Sequence, residues 1–388
     1  MTSPTLAAAG AWTKAGDLPS AAGWHGQYDG AVLLEDGKVL LVGGADASSV
    51  PVAKTAVYDP AEQKWTAGSP LTFPRRLHTA TLLDDGKVLV AGGASGSSPH
   101  SPALTAVEVY DPSDGTWQSA AGMRQARHGH SAVLLANKKV LVAGGAATRS
   151  SDSLRALASA EVYDPDADEW TDAAPMTDAR TGHTALLFKG GQVLVAGGRA
   201  PISGRDVASL AFCELYNPTA NAWTPTGSLL QPRSGQQAVL VSDTAALVVG
   251  GATPGSPGDG TFDPYTALTA ERYDLAAGAW TAQPATEGGR GLHRVAPLGS
   301  GVFLVIGGTA DEHNGAGYQS ALLYDSAAKS WTAAAGLTTG RWGFAATALS
   351  DGTVLVAGGT VASGAAAADP ESDQLTAATE VFSLGSIT

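Results

Sequence analysis

An all-β fold, a single closed seven-bladed β-propeller, is what this sequence predicts, and three observations carry the prediction. An apolar run ending in Gly-Gly recurs seven times, at Gly43, Gly92, Gly144, Gly197, Gly250, Gly307 and Gly358, with spacings of 49 to 57 residues. Each of the first six copies is followed by a Tyr (Tyr58, Tyr110, Tyr163, Tyr216, Tyr273, Tyr324) and, seven residues later, by a Trp (Trp65, Trp117, Trp170, Trp223, Trp280, Trp331). The seventh copy reaches Phe382 in the Tyr slot and has no Trp after it, whereas "GAWTKAG" near the N-terminus carries a spare one, Trp12. A period of this length reads as one supersecondary unit per repeat.

Taken in order, the elements justify themselves. The strand near residues 10–15 has no partner in its own neighbourhood and is assigned to the last blade, whose outer strand is missing. The blades follow at about 24–67, 75–119, 127–172, 180–225, 233–282, 290–333 and 341–385, so that residues 1–388 form one domain. Each blade reads as four strands, a to d; in blade 3 these start at His130, Lys139, Ala160 and Glu169. Val, Leu, Tyr and Trp enrichment with turn residues between runs favours strand over helix. "EDG", "DDG", "KGG" and "SDG" supply a–b turns, and "YDP" or "YNP" opens c–d turns, where Pro presets the dihedral. Completing the last blade with the first strand closes the ring and removes exposed sheet edges.

Composition narrows the function classes. The 388 residues are 44% hydrophobic and 15% charged, with 49 glycines and a net charge of −13. Scattered basic residues in an acidic chain argue against a nucleic-acid or anionic-membrane partner. One cysteine, Cys213, rules out an intrachain disulfide framework and Cys-based zinc sites. No leader-like or membrane-spanning segment stands out, so a cytoplasmic monomer is expected.

Several residue sets invite a structural reading first. An Arg opens strand a in blades 2 to 7 (Arg75, Arg127, Arg180, Arg233, Arg290, Arg341), and a Glu sits two residues before the aromatic slot at Glu108, Glu161, Glu214, Glu271 and Glu380. Strands a and c start at the same end of the barrel, which predicts structural ion pairs. "DPDADE" at 164–169 lacks the Gly of a calcium loop and reads as a solvated turn. Cys213 reads as a small core residue. There is no phosphate-cradling Gly loop, H-E-x-x-H or nucleophile elbow.

The pattern R-x-G-H-[ST]-A … V-L-V-x-G-G … E-V-Y-D-P … W, best seen in "RHGHSAVLL", "VLVAGG", "AEVYDP" and "EW", resembles the kelch-repeat family, and the resemblance covers nearly all of the chain. "DDGKVLVAGG" is similar to bacterial kelch propellers and to the propeller of galactose-oxidase-like proteins. The resemblance implies a peptide-binding face built from the residue after each Arg and the residue after each Gly-Gly. Those positions here are Arg76, His128, Thr181, Ser234, Gly291, Trp342, Arg199 and Thr309. Galactose oxidase needs a Tyr–His pair after an Arg and a Tyr cross-linked to Cys. The residues before the histidines here are Leu77, Gly129, Gly182 and Leu292, so a copper-radical oxidase is not expected.

Three residues after the Arg come His78, His130, His183 and His293, with Gln236, Phe344 and Asp29 in the same slot elsewhere. Two readings stand. Each imidazole sits between blades and satisfies a buried backbone group, or the four converge on the axis and hold iron or copper. Two Trps fall outside the repeat, Trp24 and Trp342; with His25, Tyr28 and Phe344 they form an aromatic patch where blades 1 and 7 meet, either a ligand site or a plug. The expected function is therefore a binding module that captures a peptide, protein or small molecule at the loop-rich mouth. The alternative is an enzyme, an oxidase, oxygenase, lyase or cyclase, with its site in the same mouth.

Overall fold

The computed structural model describes residues 9–23, 30–97, 101–150, 153–203, 206–253, 265–286, 288–311, 313 and 315–385. Seven four-stranded antiparallel sheets stand around an axis, each running a–b–c–d outward. The innermost strands are Ala31–Leu33, Thr79–Leu82, Ser131–Leu134, Thr184–Leu187, Gln237–Ser242, Arg294–Gly299 and Ala345–Ala348. The next strand out is fully buried from end to end in blades 1 to 5 and 7, as in Val140–Ala143. Neighbouring sheets cover both of its faces, which is why "VLVA" is a continuous apolar run rather than an alternating one.

The Tyr and Trp of each repeat sit directly opposite each other on strands c and d, as Tyr163 does with Trp170. Their ring centroids lie 5.0 Å apart in blade 3 and 4.8 Å apart in blades 4 and 6. Tilted pairs of this kind are worth about 0.5–1.5 kcal/mol beyond the area they bury. The indole N–H then reaches into the previous blade: Trp170 donates to the Ala121 carbonyl and Trp223 to that of Ala174, both at 2.7 Å. One side chain thus fills its own sheet and ties it to the next.

Closure follows the same plan. The strand Ala11–Ala15 pairs with Thr379–Ser383 and becomes strand d of blade 7, with Trp12 opposite Phe382. Trp12 stacks on Phe382 at 5.1 Å and donates to the Ala335 carbonyl of blade 6 at 2.7 Å.

The Arg–Glu expectation holds in five blades. Nη2 lies 2.7 Å from a carboxylate oxygen in Arg75–Glu108, Arg127–Glu161 and Arg341–Glu380, 2.6 Å in Arg233–Glu271 and 3.2 Å in Arg180–Glu214. All ten side chains are buried. The second carboxylate oxygen accepts a backbone N–H from the loop that enters the blade, as Glu161 does from Arg124 at 2.7 Å. Arg127 Nη1 donates to the carbonyls of Gly144 and Ser159, so each guanidinium pins the end of strand b to the start of strand c.

The Gly-Gly pair answers to the same crowding. At Gly92 φ is +62°, and a Cβ would meet the Arg127 carbonyl at 2.5 Å and His130 Cε1 at 2.9 Å, both from the next blade. At Gly93 φ is +108°, and a Cβ would meet the Arg76 carbonyl of its own blade at 2.8 Å. Left-handed backbone with neighbours this close admits only glycine.

Candidate functional site

The chain leaves the inner strand and the Gly-Gly corner at the same end of the barrel. There the residue after each Arg pairs with the residue after each Gly-Gly, making an antiparallel bridge in every blade: Gly23 with Ala45, Arg76 with Ala94, His128 with Ala146, Thr181 with Arg199, Ser234 with Ala252, Gly291 with Thr309, and Trp342 with Thr360. Both hydrogen bonds of each bridge are short, for example 3.0 and 2.8 Å between His128 and Ala146. Seven such bridges form a collar around the mouth of the channel.

The loops above the collar brace one another. Thr148 Oγ1 of blade 3 donates to the Ser101 carbonyl of blade 2 at 2.7 Å. Ser209 Oγ of blade 4 donates to the Ala252 carbonyl of blade 5 at 3.2 Å. Ala316 bridges to Ala362 across blades 6 and 7, and the Asp373 amide reaches the Ala47 carbonyl across blades 7 and 1. A surface held this way presents side chains with little ordering left to do on binding.

The collar is chemically lopsided. Blades 2 to 4 contribute Arg76, His128 and Arg199; blades 5 and 6 contribute Ser234, Gly291 and Thr309. Arg76 is half-buried, with its guanidinium donating to the Gly96 and Ser97 carbonyls at 3.1 and 2.6 Å. Arg199 is exposed. His128 is 5% exposed, and among the described residues neither ring nitrogen has a hydrogen-bond partner. Burial first, then the Arg76 and Arg199 charges, push His128 down to about 4, so it is neutral at pH 7.

The aromatic expectation divides. Trp342 lies on the collar, but both Trp342 and Phe344 are fully enclosed, and Phe344 fills the histidine slot of blade 7 with its ring edge where a Gly307 Cβ would stand. They plug the blade 7 seam and are not exposed anchors. Trp24, His25 and Tyr28 lie outside the described residues, as does Asp29.

The four channel histidines are also placed by packing. Each ring is tucked against the first Gly of the preceding blade: His78 Cε1 at Gly43, His130 at Gly92, His183 at Gly144 and His293 at Gly250. His130 Nε2 is 3.0 Å from Thr79 Oγ1 and His183 Nε2 is 2.9 Å from Ser131 Oγ, each hydroxyl belonging to the preceding blade. The rings therefore lie in separate seams, and among the described residues no group of three or more His, Cys, Asp or Glu gathers as a metal-binding set. The residues do not fit a shared iron or copper ion on the axis. The H-[ST] dipeptide of the repeat supplies both partners, the hydroxyl of one blade meeting the imidazole of the next.

Beneath the collar, the axial channel holds a cavity of about 310 Å3. Its walls include Ser131, Thr184 and Gln237, each one residue after the histidine slot. These three occupy a single column of the repeat, which is the signal that could have pointed to them.

Residues 129–359 match the KLHDC2/KLHL20/DRC7 Kelch-repeats domain family, more than half of the chain, and residues 75–124 match the Kelch motif. The chain is 30% identical to human Kelch-like protein 34 over 147 residues, which is 38% of this chain and 22% of that one. It is 27% identical to beta-scruin of Limulus polyphemus over 281 residues, 69% of this chain and 29% of that one. The matched stretches thus span less than a third of these relatives' own length. Among solved structures, one described as a novel fungal alcohol oxidase with catalytic diversity among the AA5 family, in complex with copper, superposes with a TM-score of 0.72 at 19% identity, covering 96% of this chain and 76% of that one. That likeness is one of fold.

Proposed function

Because the chain belongs to the kelch-repeat β-propeller family, we propose that it is a binding scaffold whose working surface is the collar, and that its ligand is a peptide or protein segment presenting a carboxylate to blades 2 to 4. One observation carries this reading: His128 sits in the collar almost completely buried, with both ring nitrogens unpartnered among the described residues, between two arginines. An enclosed polar side chain without a partner is costly unless a ligand supplies one. Arg76 and Arg199 favour an acceptor of negative charge, and a neutral imidazole between them donates one hydrogen bond without adding a third cation. Braced loops keep the groups fixed. Of the enzyme alternative, only the version that places iron or copper on the four histidines loses support, because those rings are spread over four seams.

Panning a random peptide library on the wild-type chain tests the proposal. Enriched peptides should share an acidic side chain or a free C-terminus, and should lose about tenfold in affinity for Arg76→Ala and for His128→Ala, the loss of one charge-assisted or buried hydrogen bond. Peptides without a common carboxylate, or peptides that bind both variants as well as wild type, would overturn it.

A further inference from the structure

The cavity of about 310 Å3 below the collar has two unlike sides. Blades 3, 4 and 5 turn Ser131, Thr184 and Gln237 toward it, none more than 9% exposed. Blades 6, 7 and 1 contribute Val295, Pro297, Ala346 and Ala31, with Thr347 as a hydroxyl among them. The Gln237 amide makes no hydrogen bond among the described residues, although the equivalent hydroxyls of Thr79 and Ser131 each meet a ring of the next blade. Thr184 Oγ1 accepts from Gln236 Nε2 at 3.4 Å, which leaves its own proton to give. An amide at the wall of the bore, with donors and acceptor unspent among the described residues, can meet a ligand there.

The lining also says what that something is not. Among the described residues no Asp, Glu, Lys or Arg lines the cavity, and its two histidines, His130 and His183, are held neutral by burial and by the adjacent guanidinium groups. An ion entering would lose water and gain no counter-charge. The volume sits at the small end of ligand pockets, whose usual range is about 300–1,000 Å3. We infer that the bore binds a small uncharged polyol, its hydroxyl edge on Ser131, Thr184 and Gln237 and its hydrocarbon edge on Ala31, Val295 and Ala346. This site lies below the collar and does not depend on the peptide reading.

Glycerol and erythritol are the probes, read by saturation-transfer-difference NMR on the full chain, with acetate and ethylammonium as charged controls. The two polyols should receive saturation from the protein and the two ions should not. Ala185 lines the bore and is only half-buried, so Ala185→Trp narrows the cavity and, in a variant whose melting temperature shows it folded, should abolish the polyol signal. Gln237→Leu should weaken polyol binding about tenfold with an unchanged melting temperature. Arg76→Ala should leave polyol binding intact even where it removes peptide binding. No transfer to either polyol, equal transfer to acetate, or a signal undiminished in both bore variants would overturn the inference.

Discussion

The seams leading into blade 3 and into blade 6 share one plan and are filled differently. In blade 3, Arg127 meets Glu161 at 2.7 Å, and His130 meets the Thr79 hydroxyl of the previous blade at 3.0 Å. In blade 6, Leu322 occupies the Glu position, and the previous blade offers Gln237 in place of the hydroxyl. Arg290 is nevertheless still buried, and still donates to the carbonyls of Gly307 and Ser320 at 3.0 and 3.3 Å. Its charge faces the Ser320 hydroxyl at 3.1 Å and the Tyr318 ring at 5.7 Å. The difference separates two jobs. The Arg holds the Gly-Gly corner in every blade that has it; the Glu compensates the charge and captures the incoming loop.

The largest expected effect comes from removing the Arg on each side of the comparison. Arg127→Met strands the buried Glu161 carboxylate and should cost about 3–5 kcal/mol, whereas Arg290→Met leaves no carboxylate behind and should stay within about 1 kcal/mol of wild type. Denaturant midpoints of the two variants decide it; equal losses would mean that the corner bonds, not charge compensation, set the cost. Acid probes what the seams have in common. Burial, then a neighbouring guanidinium, pushes His183 down to about 3. A depressed histidine is stable in the neutral form, so its contribution is full above about 6.5 and is lost as pH falls toward 3. At pH 5 the loss is roughly 2 kcal/mol for this ring. The melting temperature should therefore fall between pH 7 and 4, and less steeply in His183→Gln, which copies blade 5. The smallest effect concerns the rings. Tyr318→Leu, beside the Arg with no carboxylate, should cost about 1 kcal/mol more than Phe212→Leu, whose Arg180 is paired with Glu214.

Much of this architecture was legible in the sequence because it repeats. The Tyr–Trp interval, the spare Trp12 and the Arg–Glu positions are one-dimensional signals of contacts that recur from blade to blade. The collar was reached through a family resemblance, and the structure gives it a physical basis in seven backbone bridges. What the letters did not disclose is direction. His130 and Phe344 occupy the same slot, yet nothing in the spacing says that the slot points into a seam, because strand twist turns the side chain away from the axis. For Trp342 the letters left anchor and plug both open: a residue on the rim of a ring is exposed or buried according to how far the loops above it lean. Leu322 in the Glu position is plain in the repeat, and it leaves Arg290 buried without a carboxylate.

The pairing of Ala11–Ala15 with Thr379–Ser383 has a temporal consequence. The strand Ala11–Ala15 is made before its partner, which lies 368 residues downstream at the Thr13–Val381 contact. It must wait, unpaired, while the six complete sheets between them assemble, and the barrel stays ajar until Thr379–Ser383 has been made. That delay leaves the five-residue strip around Trp12 open for longer than any strand that pairs within its own run of chain.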